Sequence, residues 1–196
     1  MTKRILIIAG PNGAGKTTMA WTLVQNSQTV YEFINADEIA RGLAPLHPES
    51  VALAASKLMI LRLRELLASN KSFAFETTAS GTNYLKHLKQ AQSKGYEVNL
   101  IFLWLPHPNQ AVRRVAQRVK QGGHDIPEES IRRRYGAGLK NLLKHYLPLV
   151  NSALILDNSN NQSEKVIARK NVRGHLEIRN VKSWKKIERS ASEKTG

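Results

Sequence analysis

The feature that most constrains this chain is Gly10-Pro11-Asn12-Gly13-Ala14-Gly15-Lys16-Thr17, which fits the phosphate-loop pattern G-x-x-x-x-G-K-[ST]. It follows directly on the apolar run RILIIA (4–9), and unbroken isoleucine-rich runs suit a strand buried on both faces of a parallel sheet. From Lys16 onward, Trp21, Leu23 and Val24 offer the apolar face of a helix. Strand, glycine loop and helix therefore come in the order that the motif requires. Gly10, Gly13 and Gly15 let the backbone bend into a cradle of N–H groups, and the helix N-terminus adds positive potential. The expected nucleotide-binding set is Gly10, Asn12, Gly13, Ala14, Gly15, Lys16, Thr17 and Thr18. Lys16 is expected to reach the β- and γ-phosphates and the Thr17 hydroxyl to ligate Mg²⁺.

Further strands are expected at YEFIN (31–35), SFAFET (72–77), VNLIFLWL (98–105) and ALILD (153–157). Between them lie helical patterns: SVALAASKLMILRLRELLAS from about Ser50, residues 83–94, the basic QAVRRVAQRVKQ, and a stretch from about Pro127 to Tyr146. This alternation predicts an α/β P-loop NTPase fold with a five-stranded parallel sheet covered by helices on both faces, NMP-kinase-like with an arginine-bearing lid. The kinase-type domain is expected over 1–158, with the lid at about 113–135. Residues 159–196 form a basic extension in which EKVIARKN and GHLEIRN pair as a short hairpin and the polar residues 185–196 fray.

Composition narrows the classes. With 196 residues and 41% apolar content the chain suits one core and a tail. Absence of cysteine excludes disulfides, thiolate zinc sites and a cysteine nucleophile. No apolar run approaches the roughly 18 residues of a membrane span, and the N-terminal apolar run breaks into the glycine loop without a cleavage site, so a soluble cytoplasmic protein is expected. The formal charge of +15 predicts attraction to nucleotides, nucleic acid, anionic lipid or an acidic protein. That excess sits in the tail and in Arg113, Arg114, Arg118, Lys120, Arg132, Arg133 and Arg134.

The rest of the chain selects among P-loop chemistries. A switch GTPase needs DxxG and NKxD; Asn70-Lys71-Ser72-Phe73 lacks the aspartate, and no Asp is followed by glycine three residues on. A motor or AAA-type ATPase normally carries an apolar strand ending in acidic residues, whereas the fourth strand ends in Pro106, and Asp157 comes late enough to suggest a structural or base-side role. Small-molecule kinases remain. INAD puts Asp37 at a strand end, where ligands of doubly wound sheets bind, as a base for an attacking hydroxyl. Capping of the following helix is the lesser alternative for Asp37, and the two roles are compatible. FAFETTASG puts Glu76, Thr77 and Thr78 over the same crevice, Glu76 to bond an acceptor hydroxyl or a metal-bound water and the threonines to bind sugar or phosphate oxygens, with turn duty for Thr78 and Ser80 the alternative. The segment RRVAQRVKQGGHDIPEESIRRRY predicts two basic helices hinged at Gly122-Gly123, with His124 at the hinge or surface, that bring arginines to the transferring phosphoryl. Arg114 and Arg118 share one helix face; Arg133 and Arg134 point about 100° apart, so only one reaches the phosphate.

AGPNGAGKTT, INADEIA, FAFETTASG and RVAQRVKQGGHDIPEESIRRRY, in that order over roughly residues 4–158, resemble the zeta toxin family of P-loop kinases. The resemblance implies ATP and Mg²⁺ as cofactors, phosphorylation of a hydroxyl of a nucleotide sugar such as UDP-N-acetylglucosamine, and a small acidic antitoxin as partner. It implies Lys16 as the P-loop lysine, Thr17 as the metal ligand, Asp37 as the base, and Glu76 with the adjacent threonine against the acceptor. Arg118 and one arginine of 132–134, here Arg133, become the lid residues. The chain is shorter than the plasmid-borne toxins and has less room for helices that cradle UDP-N-acetylglucosamine. Two other classes compete: a nucleic-acid-directed P-loop enzyme using the basic surface, disfavoured by the 6% aromatic content, and a nucleotide-dependent interaction protein without an acceptor.

Overall fold

The computed structural model describes residues 2–26, 32–123, 125–160 and 165–193. Strands β1 (Arg4–Ala9), β2 (Glu32–Ile34), β3 (Phe73–Thr77), β4 (Glu97–Trp104) and β5 (Ser152–Asp157) alternate with helices α1 (Lys16–Asn26), α2 (Ala36–Leu43), α3 (Ala52–Ala68), α4 (Leu85–Ser93), α5 (Pro108–Lys120) and α6 (Glu128–Asn141). A π-helical turn (Leu142–Tyr146) carries α6 into the short α7 (Leu147–Leu149). Two further strands, β6 (Lys165–Lys170) and β7 (Leu176–Ile178), precede α8 (Val181–Ser192).

The expected five-stranded sheet is corrected to a mixed sheet of seven, in the order β2-β3-β1-β4-β5-β6-β7. The pairings from β2 to β5 are parallel. β6 and β7 are added antiparallel, because the hairpin expected in the extension continues the sheet at β5. The side chains behind this register are Ile5, Ile7, Phe73, Phe75, Val98, Leu100 and Phe102, all buried.

Coverage of both faces by helices is also incomplete. Leu6, Ile101, Leu154 and Val166 line an open groove of about 540 Å³ on the sheet, edged by Arg169, Lys170 and Arg179. The expectation that residues 185–196 fray is corrected over their described part, 185–193; residues 194–196 lie outside the described residues. Asn180 caps α8 by accepting from the Ser183 N–H, and Trp184 and Ile187 are buried where α8 packs on α6 and β6. No helix among the described residues is long and apolar enough to cross a membrane.

What this frame does for the site is set the ends of β1 and β3 side by side. Ala9 pairs with Thr77, and the Gly10 N–H donates to the Thr77 carbonyl at 3.2 Å. The phosphate loop and the FETT turn thus leave the sheet together, on the edge where ligands of open α/β sheets bind.

Candidate active site

The glycine loop is shaped by close approach as well as by conformation. Gly10 has φ +145°, and a β-carbon there would collide with the Leu103 carbonyl oxygen. Neighbouring elements also fasten the loop from outside. The Asn158 amide, just after β5, donates to the Ala14 carbonyl at 2.7 Å, and the Arg114 guanidinium on α5 donates to the carbonyls of Gly13 (3.3 Å) and Ser159 (2.9 Å). Burial lowers the pKa of Arg114. Asp157, expected in a structural or base-side role, accepts from the Ser159 N–H at 2.9 Å and so closes the turn that carries Asn158.

Inside the loop lies a buried polar cluster. The Lys16 ammonium donates to the Pro11 carbonyl at 3.0 Å and sits 3.5 Å from Glu76, with the two side chains 6% and 9% exposed. The other Glu76 oxygen accepts from the Thr17 hydroxyl at 2.8 Å and from the Asn35 amide at 2.9 Å. Glu76 therefore faces Lys16 and Thr17, the residues expected from the sequence to meet the phosphates and the metal.

Asn35 settles the question of the cap. It precedes α2, and its side-chain oxygen accepts from the Asp37 N–H at 2.8 Å, which is N-cap geometry. Asp37, second residue of α2, leaves its carboxylate outside that role and exposed on the wall of a cavity of about 240 Å³. Lys16, Asn12, Glu76, Thr77, Thr78 and Arg134 line the same cavity. The Asn12 side-chain oxygen is buried there without a hydrogen-bond partner among the described residues. Tyr84 forms another part of the wall; its hydroxyl meets the Met59 sulfur at 3.3 Å, and burial, with the Asp37 charge second, raises its pKa.

The FETTAS turn is held rigidly. Ala79 has φ +57°, an unusual conformation for a residue with a side chain, and the Thr77 hydroxyl accepts from its N–H at 3.1 Å. Thr78 and Ser80 join hydroxyls at 2.8 Å. From α6 the Asn141 amide donates to the Ala79 carbonyl at 2.9 Å, and a β-carbon at Gly138 would lie 2.7 Å from the Thr78 carbonyl oxygen.

The arginines separate. Arg134 lines the cavity; Arg133 is exposed and does not. Arg132 pairs with Glu128 at 2.7 Å. Arg118, half-buried on α5, packs against Gly123, whose N–H donates to the Arg118 carbonyl at 2.9 Å, and it does not line the cavity. Thr18 is exposed and outside the cavity wall. His124 lies outside the described residues.

Sequence reasoning missed Asn35, Gly138, Asn141, Asn158 and the loop-fastening role of Arg114. Only Asn35 carried a local signal, an asparagine immediately before a helix. The others act across about 60 to 145 residues of separation, as from Asn141 to Ala79 (62 apart) and from Asn158 to Ala14 (144 apart).

The profile of a family described as "AAA domain" matches residues 5–135, which run from β1 through most of α6 and stop short of Asp157. An uncharacterized protein of Haemophilus influenzae is 28% identical over 135 residues, covering 69% of this chain and 94% of its own. Among solved structures, a chain of the AvrRxo1-ORF1:AvrRxo1-ORF2 complex with sulphate superposes with a TM-score of 0.77 at 16% identity, and one of the same complex with ATP at 0.75 and 18%. Both superpositions cover 100% of this chain but only 66% of the other, so this chain spans just under two thirds of that protein's length. A chain of the PezAT toxin–antitoxin system of Streptococcus pneumoniae superposes at 0.62 and 17% identity, covering 86% of this chain and 72% of its own. These likenesses show the kinase-like P-loop fold, in line with the zeta-type resemblance of the four motifs. By the match over residues 5–135, the chain belongs to the AAA domain family of P-loop proteins.

Proposed function

We propose that the protein is an ATP-dependent phosphotransferase that phosphorylates a hydroxyl of a small acceptor held in the cavity beside Asp37. The observation that carries this is one wall bearing both the buried Lys16–Glu76 pair, with Thr17 bonded to Glu76, and an aspartate whose capping duty has been taken by Asn35. A hydrolase would need to place water; this wall offers a carboxylate and a roofed space for an alcohol.

In this reaction Asp37 accepts the proton of the acceptor hydroxyl while that oxygen bonds to the γ-phosphorus and the bond to the bridging oxygen of ADP breaks. The loop N–H groups and Lys16 hold the phosphates in line. Arg134 supplies positive charge to the transferring group, in the place the sequence assigned to Arg133. The Thr17 hydroxyl and Glu76 carboxylate, 2.8 Å apart, are hard oxygen donors of the kind Mg²⁺ takes when it arrives with a nucleotide. The chemistry the ion supplies when bound is neutralisation of the β- and γ-phosphate oxygens.

The resemblance to zeta toxins makes UDP-N-acetylglucosamine one acceptor to test and a small acidic antitoxin a candidate partner. Support for the latter is the +15 charge and the two-component complexes named for the superposed structures. The test is incubation with Mg·ATP and a panel of sugars, nucleosides, UDP-sugars and a 5′-hydroxyl oligonucleotide, followed by mass spectrometry. Phosphate added to one small acceptor, and lost in Asp37→Asn, is the expected result. Release of ADP and phosphate at equal rates in both proteins, with no acceptor modified, would refute it.

A further inference from the structure

The cavity's far side, away from the phosphate loop, is built from α2 and α3. Ala36 and Ala40 stand four apart on α2, and Ala52, Ser56 and Ile60 stand four apart on α3, so each helix turns one stripe of small or apolar side chains to the space between them. Pro48, buried in the turn joining the helices, closes the roof. Room here comes from small side chains, and it is limited. About 240 Å³ is below the roughly 300 Å³ at which pockets for drug-sized ligands begin, and part of it adjoins Lys16, where a γ-phosphate belongs.

The polar groups also select. Among the described residues lining the cavity, the cations are Lys16 and Arg134, and Lys16 is committed to the phosphate loop by its bond to Pro11. The α2–α3 side has no cation among its described lining residues, so a phosphate or diphosphate seated there would be desolvated without a counter-charge. The group nearest the acceptor on this side, the exposed Asp37 carboxylate, wants a donor instead. Hydroxyls donate; phosphate oxygens do not. The Tyr84 ring, packed on Phe75 at 5.1 Å, gives a flat apolar surface within the wall.

We propose that the acceptor is a neutral, compact polyhydroxyl molecule the size of one sugar or cyclitol ring. It sits between α2 and α3, donates a hydroxyl to Asp37 and rests its carbon face on Tyr84; a nucleotide or nucleotide sugar is not the acceptor. This rests on the phosphotransferase assignment and narrows it.

Binding and transfer are measured separately, so that the two claims fail separately. The full chain, loaded with Mg²⁺ and a non-hydrolysable ATP analogue, is titrated by saturation-transfer NMR with neutral monosaccharides, alditols and cyclitols, and with nucleoside monophosphates and UDP-N-acetylglucosamine. At least one neutral polyol should bind about tenfold or more tightly than every phosphorylated compound, and Ser56→Phe or Ala52→Phe should weaken that polyol about tenfold while leaving analogue affinity unchanged. Two variants are used because either alone could perturb α3. Tighter binding of a nucleotide or UDP-sugar, blocked by the same variants, overturns the proposal. So does a panel in which no neutral polyol binds, or a polyol whose binding neither variant affects. Replacing the analogue with ATP then reads transfer: a polyol that binds but gains no phosphate leaves the acceptor class standing and refutes the phosphotransferase.

Discussion

Two regions of this molecule carry its conspicuous polar chemistry, and they are built in opposite ways. At the ends of β1 and β3, Lys16, Thr17, Asn35 and Glu76 satisfy one another in a largely buried cluster, with Asp37 at its rim. On α5 and α6 the arginines are dispersed: Arg114 fastens the phosphate loop, Arg132 pairs within its own helix, Arg133 faces solvent and Arg134 reaches the cavity. The first region is pre-organised, so each member's loss should be felt by the others. The second is a set of separate duties, so its members should be individually separable. Charge density along the sequence thus says little about where chemistry is concentrated; burial and mutual hydrogen bonding say more.

The largest effect should come from the cluster itself. Lys16→Ala or Asp37→Asn should lower phosphoryl transfer by about 10³-fold, the former through phosphate binding and charge, the latter through loss of the base alone. Steady-state kinetics with separate nucleotide-affinity measurements distinguish the two. Glu76→Gln should lower transfer by about 10²-fold, because it weakens three contacts at once while keeping side-chain shape. If Thr17→Ala made in that background costs as much as in the wild type, the cluster is not coupled and the comparison fails.

A sharper contrast lies between adjacent arginines. Arg134→Ala should reduce kcat by tens-fold or more, and Arg133→Ala by less than about twofold. Equal effects would mean that the two helices rearrange when nucleotide binds. The smallest change is Gly138→Ala, which pushes α6 from the Thr78 carbonyl and should cost about 1–3 kcal/mol by denaturant unfolding. It should also raise KM for the acceptor, since the displaced turn carries Thr77 and Thr78.

How much of this was legible beforehand depends on the range of the interactions. The phosphate loop, the parallel strands, the strand-end position of Glu76 and the place of Asp37 just beyond β2, in the first turn of α2, follow from local pattern. The hairpin of β6 and β7 was expected but not its joining the sheet at β5, and α8 was obscured because charged residues and Ser190 fill the positions between Trp184, Ile187 and Ala191, so composition masked an apolar spacing that was present. The choice of Arg134 over Arg133 depends on the phase at which α6 meets the cavity. That phase is set by Tyr135 donating to the Leu105 carbonyl at 2.7 Å and by the close approach at Gly138, contacts no local pattern contains. Glu76 was placed correctly at its strand end, but its partners Lys16, Thr17 and Asn35 come from two other elements, so its orientation toward the phosphate side emerged only in three dimensions.

The most direct test of the account is to measure nucleotide affinity by calorimetry and acceptor phosphorylation by mass spectrometry on the same preparations of wild type and Asp37→Asn. The account predicts Mg·ATP-analogue affinity within about threefold of wild type and transfer reduced by about 10³-fold. Undiminished transfer in Asp37→Asn, or loss of nucleotide binding in step with activity, would contradict the claim that this uncapped carboxylate serves the acceptor.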